Sequence, residues 1–298
     1  MAAILRSVIQ CFTSLFFTKS HPLKKYRDRL VGQEGILHLQ ESLIPTVENA
    51  RRLLVIGDVH GCLEELKHLL KKCDFNPRHD HIIFVGDLVA KGPFSLDTLS
   101  FVDDLGSAAT CVRGNHDDKL MQWNTYLTSK TRTDPDGDLN DEKLPEGLSR
   151  RDEHRFLAKN MTTDHVNFLE SLPYIIQFPL HGQQYIVVHA GVLPRIALNC
   201  QKCWDVTNMR NIKKKKALDH REDGDGWFEV WERAQRKVAK QERCVVLYGH
   251  DAGRDLNLRK YSKGLDSRCV RGGQLTAMII SGRESERYVH VKAKRRYD

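Results

Sequence analysis

Six side chains of metal-binding type stand at the ends of apolar runs in this chain. They are Asp58 and His60 in Gly57-Asp58-Val59-His60-Gly61, Asp87 in Gly86-Asp87, Asn115 in Gly114-Asn115-His116-Asp117, His189 in Val188-His189-Ala190-Gly191, and His250 in Tyr248-Gly249-His250-Asp251. Asp58 and His60, two residues apart in a tight turn, can grip one cation together. Asp87 offers two carboxylate oxygens, enough to bridge a pair of metals. Asn115 adds a neutral amide oxygen, and His189 and His250 add imidazole nitrogens. Such a mixed set suits Zn, Mn, Fe or Co better than Ca or Cu(I). Two divalent cations about 3.5–4 Å apart clamp a phosphoryl group and activate a bridging water for in-line attack. His116, beside Asn115 and not itself counted as a ligand, is placed to protonate the leaving oxygen. Each motif alone is weak, since Gly-Asp after a strand is often a turn. Five in one order, nearly all at strand ends, carry weight together.

The elements that must position these donors are legible as β-branched runs over residues 53–56, 82–85, 186–188 and 244–247, with a weaker one at 110–112. Short apolar runs stopped by Gly read as buried strands. Parallel strands gather their carboxyl-end residues around one crevice. Between the first runs, Leu63, Leu66, Leu69, Leu70 and Cys73, then Leu96, Leu99, Val102 and Leu105, recur at helical spacing, with Ser95 placed as a cap. The order βαβαβ implies a parallel sheet with right-handed crossovers. Helices are expected over 119–127, 156–172 and 227–240, and antiparallel strands over 274–280 and 287–291. Residues 1–50 read as an apolar and basic tail with a connecting region. Residues 51–298 read as one α/β domain carrying loop insertions at about 129–154 and 200–226.

A net charge of +8 favours an anionic partner without choosing among nucleotides, polyphosphate, nucleic acid and acidic lipid. The eight cysteines are scattered, and Cys200-Gln201-Lys202-Cys203 lacks the second pair that a structural zinc site needs. Residues 1–17 are mostly apolar, carry Arg6 and are followed by Lys19, Lys24, Lys25 and Arg27. At under about 20 residues the stretch is short for a span. It reads either as an anchor or targeting segment giving membrane contact through residues 1–27, or as an extension covering the core. The chain is accordingly placed in the cytoplasm, or in a vacuolar or other endomembrane compartment if that segment anchors. Lys213-Lys214-Lys215-Lys216 reads either as a guide for a long polyanion or as a solvated basic loop. His68, His79, His81, His154 and His220 lack the strand-end context and read as surface or core residues.

From about residue 53 to 280 the ordered motifs resemble the calcineurin-like metallophosphoesterases, within the phosphoprotein phosphatase branch. The strongest likeness is to symmetrical diadenosine tetraphosphatases of the ApaH type and their eukaryotic relatives, through GDLVAKGPFSLD at 86–97 and GLDSRCVRGGQLTA at 264–277. The resemblance implies a β-sandwich flanked by helices. It assigns Asp58, His60 and bridging Asp87 to one metal, Asp87, Asn115, His189 and His250 to the other, and proton donation to His116. Ala90 stands where protein phosphatases of this branch carry an Asp that orients the general acid, and ApaH-type enzymes share the Ala. Lys91 stands at the phosphate-clamping, catalytic position usually held by Arg, giving a point charge in place of a fork. Arg268, where relatives often have a small residue, has no reading at this level. Both interpretable departures point away from phosphoproteins. The implied reaction is hydrolysis of phosphoanhydride bonds, with inorganic polyphosphate first and dinucleoside polyphosphates next. Some similar fungal proteins are zinc-dependent vacuolar endopolyphosphatases, and others act on capped RNA. The alternatives are a Ser/Thr protein phosphatase and an inactive scaffold, the latter disfavoured because all six donors are present.

Overall fold

The computed structural model describes residues 27–133, 144–145, 147–283 and 286–298. Residues 1–26 and the middle of the 129–154 insertion lie outside the described residues, and with them the tail's anchoring role. Among the described residues no helix is long and apolar enough to cross a membrane.

Strands β2 (Arg52–Ile56), β3 (Asp80–Phe84) and β4 (Ala109–Cys111) pair in parallel, with helices α1 (Leu63–Lys72) and α2 (Ser95–Asp104) as crossovers. The expected βαβαβ unit is therefore present. The sheet around it is mixed, because β13 (Gln274–Ser281) lies antiparallel beside β2 and β14 (Glu286–Lys292) antiparallel beside β13. A second sheet runs in the order β1 (Ile36–His38), β5 (Ile175–Leu180), β6 (Gln183–Val188), β10 (Cys244–Tyr248), β12 (Ser262–Gly264), β11 (Asn257–Leu258). The segment ahead of residue 51 is thus more than a connector, since β1 pairs in parallel with β5 and forms a sheet edge.

Strand alternation explains why the runs are apolar throughout. Leu53, Val55, Ile83, Val85, Tyr185, Val187, Val245, Leu247, Met278 and Ile280 meet in one cluster between the two sheets. Their neighbours Leu54, Ile56, Ile82 and Phe84 face outward onto Leu66, Leu69 and Leu99 of α1 and α2. Ile186, Val188, Val246 and Tyr248 face the other way, onto Cys203 and Val206 of α6 (Cys203–Asn208) and Trp227 and Trp231 of α7 (Trp227–Gln235). The result is the sandwich with helices on both sides that the resemblance implies. Each such side chain contributes about 1.5–3 kcal/mol over exposure.

Several boundaries differ from the sequence reading. Helix α3 runs Asn115–Thr133, so it opens on the Asn-His motif itself and continues into the segment read as a loop. Asp117 and Asp118 in its first turn complement the positive helix end. The helical stretch at 156–172 is two helices, α4 (Glu153–Lys159) and α5 (Thr163–Ser171). Thr162 and His165 form a reciprocal cap that starts the second. Ser95 does not cap α2; its hydroxyl accepts the Ala90 N–H at 2.9 Å instead. The 200–226 insertion is ordered as α6 followed by a small sheet of β7 (Asn211–Lys213), β8 (Lys216–Leu218) and β9 (Asp225–Gly226). The helix expected over 227–240 stops at Gln235.

One stability prediction arises from the core. His81 on β3 is buried, with Nε2 3.1 Å from Thr110 Oγ1. Burial, opposed by a weaker backbone hydrogen bond, lowers its pKa to about 4. Its unfolded value lies near 6.5, so between those pH values the unfolded state binds more protons and stability rises with pH. Stability is complete above about 6.5 and drains away as pH falls toward 4. Thermal melts of wild type and His81→Gln should diverge in slope across that window. Parallel slopes would contradict the assignment.

Candidate metal centre

All six candidate donors lie at carboxyl ends of strands held in level register. Ile56 pairs with Phe84 and Phe84 with Cys111 in one sheet, and Val187 with Leu247 in the other. Asp58, Asp87 and Asn115 therefore leave the first sheet side by side, and His189 and His250 leave the second. The turns interlock: Val59 and His60 donate to the Asp87 carbonyl, Gly61 to Leu88, and Gly249 to His189. His60, Asp87 and His250 all take positive φ, at 47°, 52° and 68°. For a residue with a Cβ such backbone costs about 1–2 kcal/mol. It persists where the surroundings over-determine it, and such positions cluster at functional sites. Gly249 is required by close approach, since a Cβ there would overlap the Asp58 carboxylate.

The donors converge into two groups sharing Asp87. His60, Asp87 and His116 each offer one atom, all within 4.8 Å of one another, and Asp87, His189 and His250 do the same. Asp87 Oδ2 lies 3.4 Å from both His60 Nε2 and His189 Nε2. Asn115 Oδ1 sits 3.0 Å from His189 Nε2 and 2.9 Å from His250 Nδ1. Asp58 Oδ2 is 4.0 Å from His60 Nε2, and the Asp58 carboxylate accepts the His250 N–H at 3.0–3.1 Å. His116, expected to stand apart from the ligands, has a nitrogen close enough to join the first group. The His116 backbone N–H donates to Asp87 Oδ1 at 2.9 Å.

The imidazole tautomers test whether these residues fit divalent cations. His60 Nδ1 is 2.9 Å from the Val89 carbonyl, His189 Nδ1 2.8 Å from the Val85 carbonyl, and His250 Nε2 3.0 Å from the Asn208 carbonyl. A carbonyl only accepts, so each of those nitrogens carries the proton. On the neutral rings of His60 and His250 the opposite nitrogen is then a lone pair, aimed at the Asp87 carboxylate and the Asn115 amide oxygen. This is the second-shell arrangement that orients metal-binding histidines. Burial holds His60 down to about 4 and His250 well below its usual range, keeping both neutral. Burial and then the nearby Asp266 charge push Asp58 well above the carboxylate range. Burial would also lower His189, but the Asp87 charge and hydrogen bond, then Asp58, raise it to about 9. The buried Asp87 carboxylate thus draws positive charge toward itself. The set fits a pair of divalent cations.

Lys91 stands at the mouth with Nζ 3.0 Å from His60 Nε2. Its backbone and that of Ala90 take φ of 68° and 74°, and the Lys91 N–H is received by both Glu153 oxygens at 2.8 and 2.9 Å.

Sequence reasoning missed several contributors. Asp117, two residues beyond Asn115, accepts the N–H groups of Asp87, Leu88 and Gly114 at 2.9–3.1 Å and so clamps two motif turns together. The pattern Asn-His-Asp was the available signal. His154, read as an ordinary surface or core residue, is buried against His116, with 3.0 Å between its Nε2 and His116 Nδ1. Around Asp251, next to His250, gather Arg221 (Nε 2.7 Å), Arg254 (2.5 Å) and Arg210 (3.8 Å). No spacing in the sequence foretells that cluster. Arg268 donates to the Ala252 and Gly253 carbonyls, tying the 264–277 motif to the His250 turn. Residues 213–216 form the β7–β8 hairpin. Lys214 and Lys215 line a cavity of about 590 Å³ whose lining includes none of the six donors. Cys200 is exposed while Cys203 is buried, and no cysteine joins a potential metal group among the described residues.

Comparison with known proteins supplies independent findings. Residues 51–282 match the family model described as calcineurin-like phosphoesterase. A symmetrical bis(5'-nucleosyl)-tetraphosphatase of Shewanella sp. (strain W3-18-1) is 38% identical over 202 residues, covering 64% of this chain and 63% of that protein. Its counterpart in Tolumonas auensis is 31% identical over 173 residues, 58% of this chain and 53% of that one, so the chain spans only about half to two thirds of these relatives. The counterpart in Methylococcus capsulatus is 28% identical over 289 residues, 79% of this chain and 94% of its own. A crystal structure described as a candidate diadenosine tetraphosphatase superposes with a TM-score of 0.66 at 31% identity, covering 87% of this chain and 97% of that one.

Proposed function

This chain belongs to the calcineurin-like phosphoesterase family, and we propose that it is a metal-dependent hydrolase of phosphoanhydride bonds acting on dinucleoside polyphosphates. The observation that carries the reading is the pair of donor groups hinged on Asp87. Asp58, His60 and Asp87 would hold one divalent cation, and Asp87, Asn115, His189 and His250 the other, with Zn, Mn, Fe or Co as fitting ions. When bound, such a pair supplies Lewis-acid polarisation of the phosphoryl oxygens and a lowered pKa for the attacking water.

The protein's own groups do the rest. Lys91 offers a single positive charge at the mouth, 3.0 Å from His60. His116 gives its proton to the leaving phosphate oxygen. Burial holds His116 well below its usual range, and an arriving polyanion raises it again by direct charge attraction. The three guanidiniums on Asp251 exceed the one carboxylate they share, leaving positive charge at the lip beside His250. That excess suits a substrate with several phosphates, where one is cleaved and others are held.

The named relatives favour dinucleoside polyphosphates over inorganic polyphosphate, which the sequence reading placed first. The arginine cluster would serve either. Capped RNA presents the same anhydride chemistry, and a Ser/Thr phosphoprotein remains the contrasting substrate. Turnover of diadenosine tetraphosphate, long-chain polyphosphate and a phosphopeptide by metal-reconstituted protein ranks them. Diadenosine tetraphosphate should lead and yield two ADP by cleavage at its centre. A strong phosphopeptide preference would overturn the proposal. Within the same assay, Arg254→Ala should raise KM for diadenosine tetraphosphate about tenfold or more with kcat little changed. That is the loss of one charge-assisted contact, roughly 1.5–3 kcal/mol. An unchanged KM would remove the arginine cluster from substrate binding.

A further inference from the structure

The lysine run at 213–216 has no part in the metal centre, yet its backbone is costly to hold. Lys213 pairs with Lys216 across β7 and β8, so Lys214-Lys215 is a two-residue hairpin loop. Both loop residues take positive φ, 47° and 67°. Such loops favour Asn-Gly, because other side chains are strained in left-handed backbone. Two lysines there oppose folding, and strain of this kind clusters at functional sites. Arg195, in the turn after β6, is held in the same way, with φ of 66°.

These three residues converge on one cavity. With Lys237, just beyond α7, they wall the space of about 590 Å³ that Ile212 lines from β7. Among the described residues none of the four cations pairs with a carboxylate, and Asp225, the one acidic residue lining the cavity, is engaged by Arg233. Four uncompensated positive charges around a concavity attract and concentrate anions. The rest of the wall is largely apolar, with Leu193, Ile196 and Val230 beside Ile212. Ile196 is left 40% exposed. Strand alternation sets the cavity behind the catalytic lip. Asn211 accepts from Arg254 Nη2 at 2.6 Å on one face of β7, and Ile212 points to the other. The lysines therefore do not lead into the metal centre.

We propose that this cavity is a second anion site, taking a nucleoside polyphosphate with its phosphates on Arg195, Lys214, Lys215 and Lys237 and its base against Ile196 and Val230. A bare phosphate chain would leave the apolar wall in water, whereas a base covers it. The volume falls within the roughly 300–1,000 Å³ of small-molecule sites, and a concave wall suits a soluble ligand better than a flat bilayer. The inference is independent of the proposed hydrolysis, since it uses none of the six donors.

Isoleucine methyl spectra of the full-length protein supplied with Zn, titrated with the β,γ-imido analogue of ATP, test it. The Ile196 and Ile212 signals, assigned through Ile196→Val and Ile212→Val, should shift together and saturate. Lys214→Asn with Lys215→Gly installs the residues that the loop favours, so the double variant should fold with a Tm at or above that of wild type. Its affinity for the analogue at these isoleucines should fall about tenfold or more, through loss of two charge-assisted contacts, while turnover of diadenosine tetraphosphate stays within about twofold. Inorganic tripolyphosphate, which has no base to bury, should bind about tenfold more weakly than the analogue. Unshifted isoleucines, a double variant that binds as well as wild type, or tripolyphosphate binding as tightly as the analogue would each overturn the proposal. So would vesicles of phosphatidylglycerol that bind wild type and not the double variant while the isoleucines ignore the analogue. The spectra require no turnover, so a chain inactive on every anhydride would end the proposed function and leave this site still tested.

Discussion

Replacing Asp87 with Asn is expected to reduce turnover by roughly a thousandfold or more, equivalent to about 4 kcal/mol of transition-state stabilisation, and to take metal content below two ions per chain. Asp87 is the residue common to both donor groups, with one oxygen 3.4 Å from His60 and from His189. Burial pushes its pKa up, yet His189, by its charge and its hydrogen bond, carries it well below the carboxylate range, so it presents a full negative charge. Asn keeps the volume and one oxygen but removes the charge that two cations share. The same substitution should abolish the rise in Tm that added Zn or Mn produces in wild type, because a ligand stabilises the fold only in proportion to its occupancy. Elemental analysis, melts and steady-state rates report the three effects separately. A variant that retained two ions and full activity would refute the bridging role.

His116→Asn should lower kcat about 100- to 10,000-fold, the range for loss of a positioned general acid, while metal content and KM stay near wild type. The structure makes this a sharper experiment than the sequence alone allows. One His116 nitrogen lies within 4.8 Å of donors from His60 and Asp87, so a role as ligand and a role as proton donor are both within geometric reach. They separate on metal content. A ligand's removal depletes one ion, whereas a proton donor's removal leaves both in place. Depletion would move His116 from acid to ligand.

The parts of this molecule legible in the sequence are those whose signal is local. Leu53 to Ile56 and Ile82 to Val85 read as strands because both their faces are buried, one row between the sheets and the other beneath helices. The six candidate donors, which the structure brings together, were legible because each follows such a run within a few residues. β1 was not, as Ile36-Leu37-His38 is a three-residue edge strand with no buried residue, too short and too open to show a period. The start of α3 is not legible, because Asn115-His116 suits a turn as well as a helix end, although the two residues form its first turn. His154 was invisible for a different reason: its partner lies 38 positions away, across an insertion without periodicity. The arginine cluster is similar, since Arg210, Arg221 and Arg254 meet only because the small β7–β9 sheet folds back on the His250 turn. Long-range polar contacts leave no repeat in a single chain. They must be seen in space.

Anomalous scattering from a crystal grown with Mn or Zn addresses the central claim most directly. Two peaks are expected, one against Asp58, His60 and Asp87 and the other against Asp87, Asn115, His189 and His250, with the Asp87 carboxylate touching both. A single peak, or peaks that leave Asp87 untouched, would contradict the account.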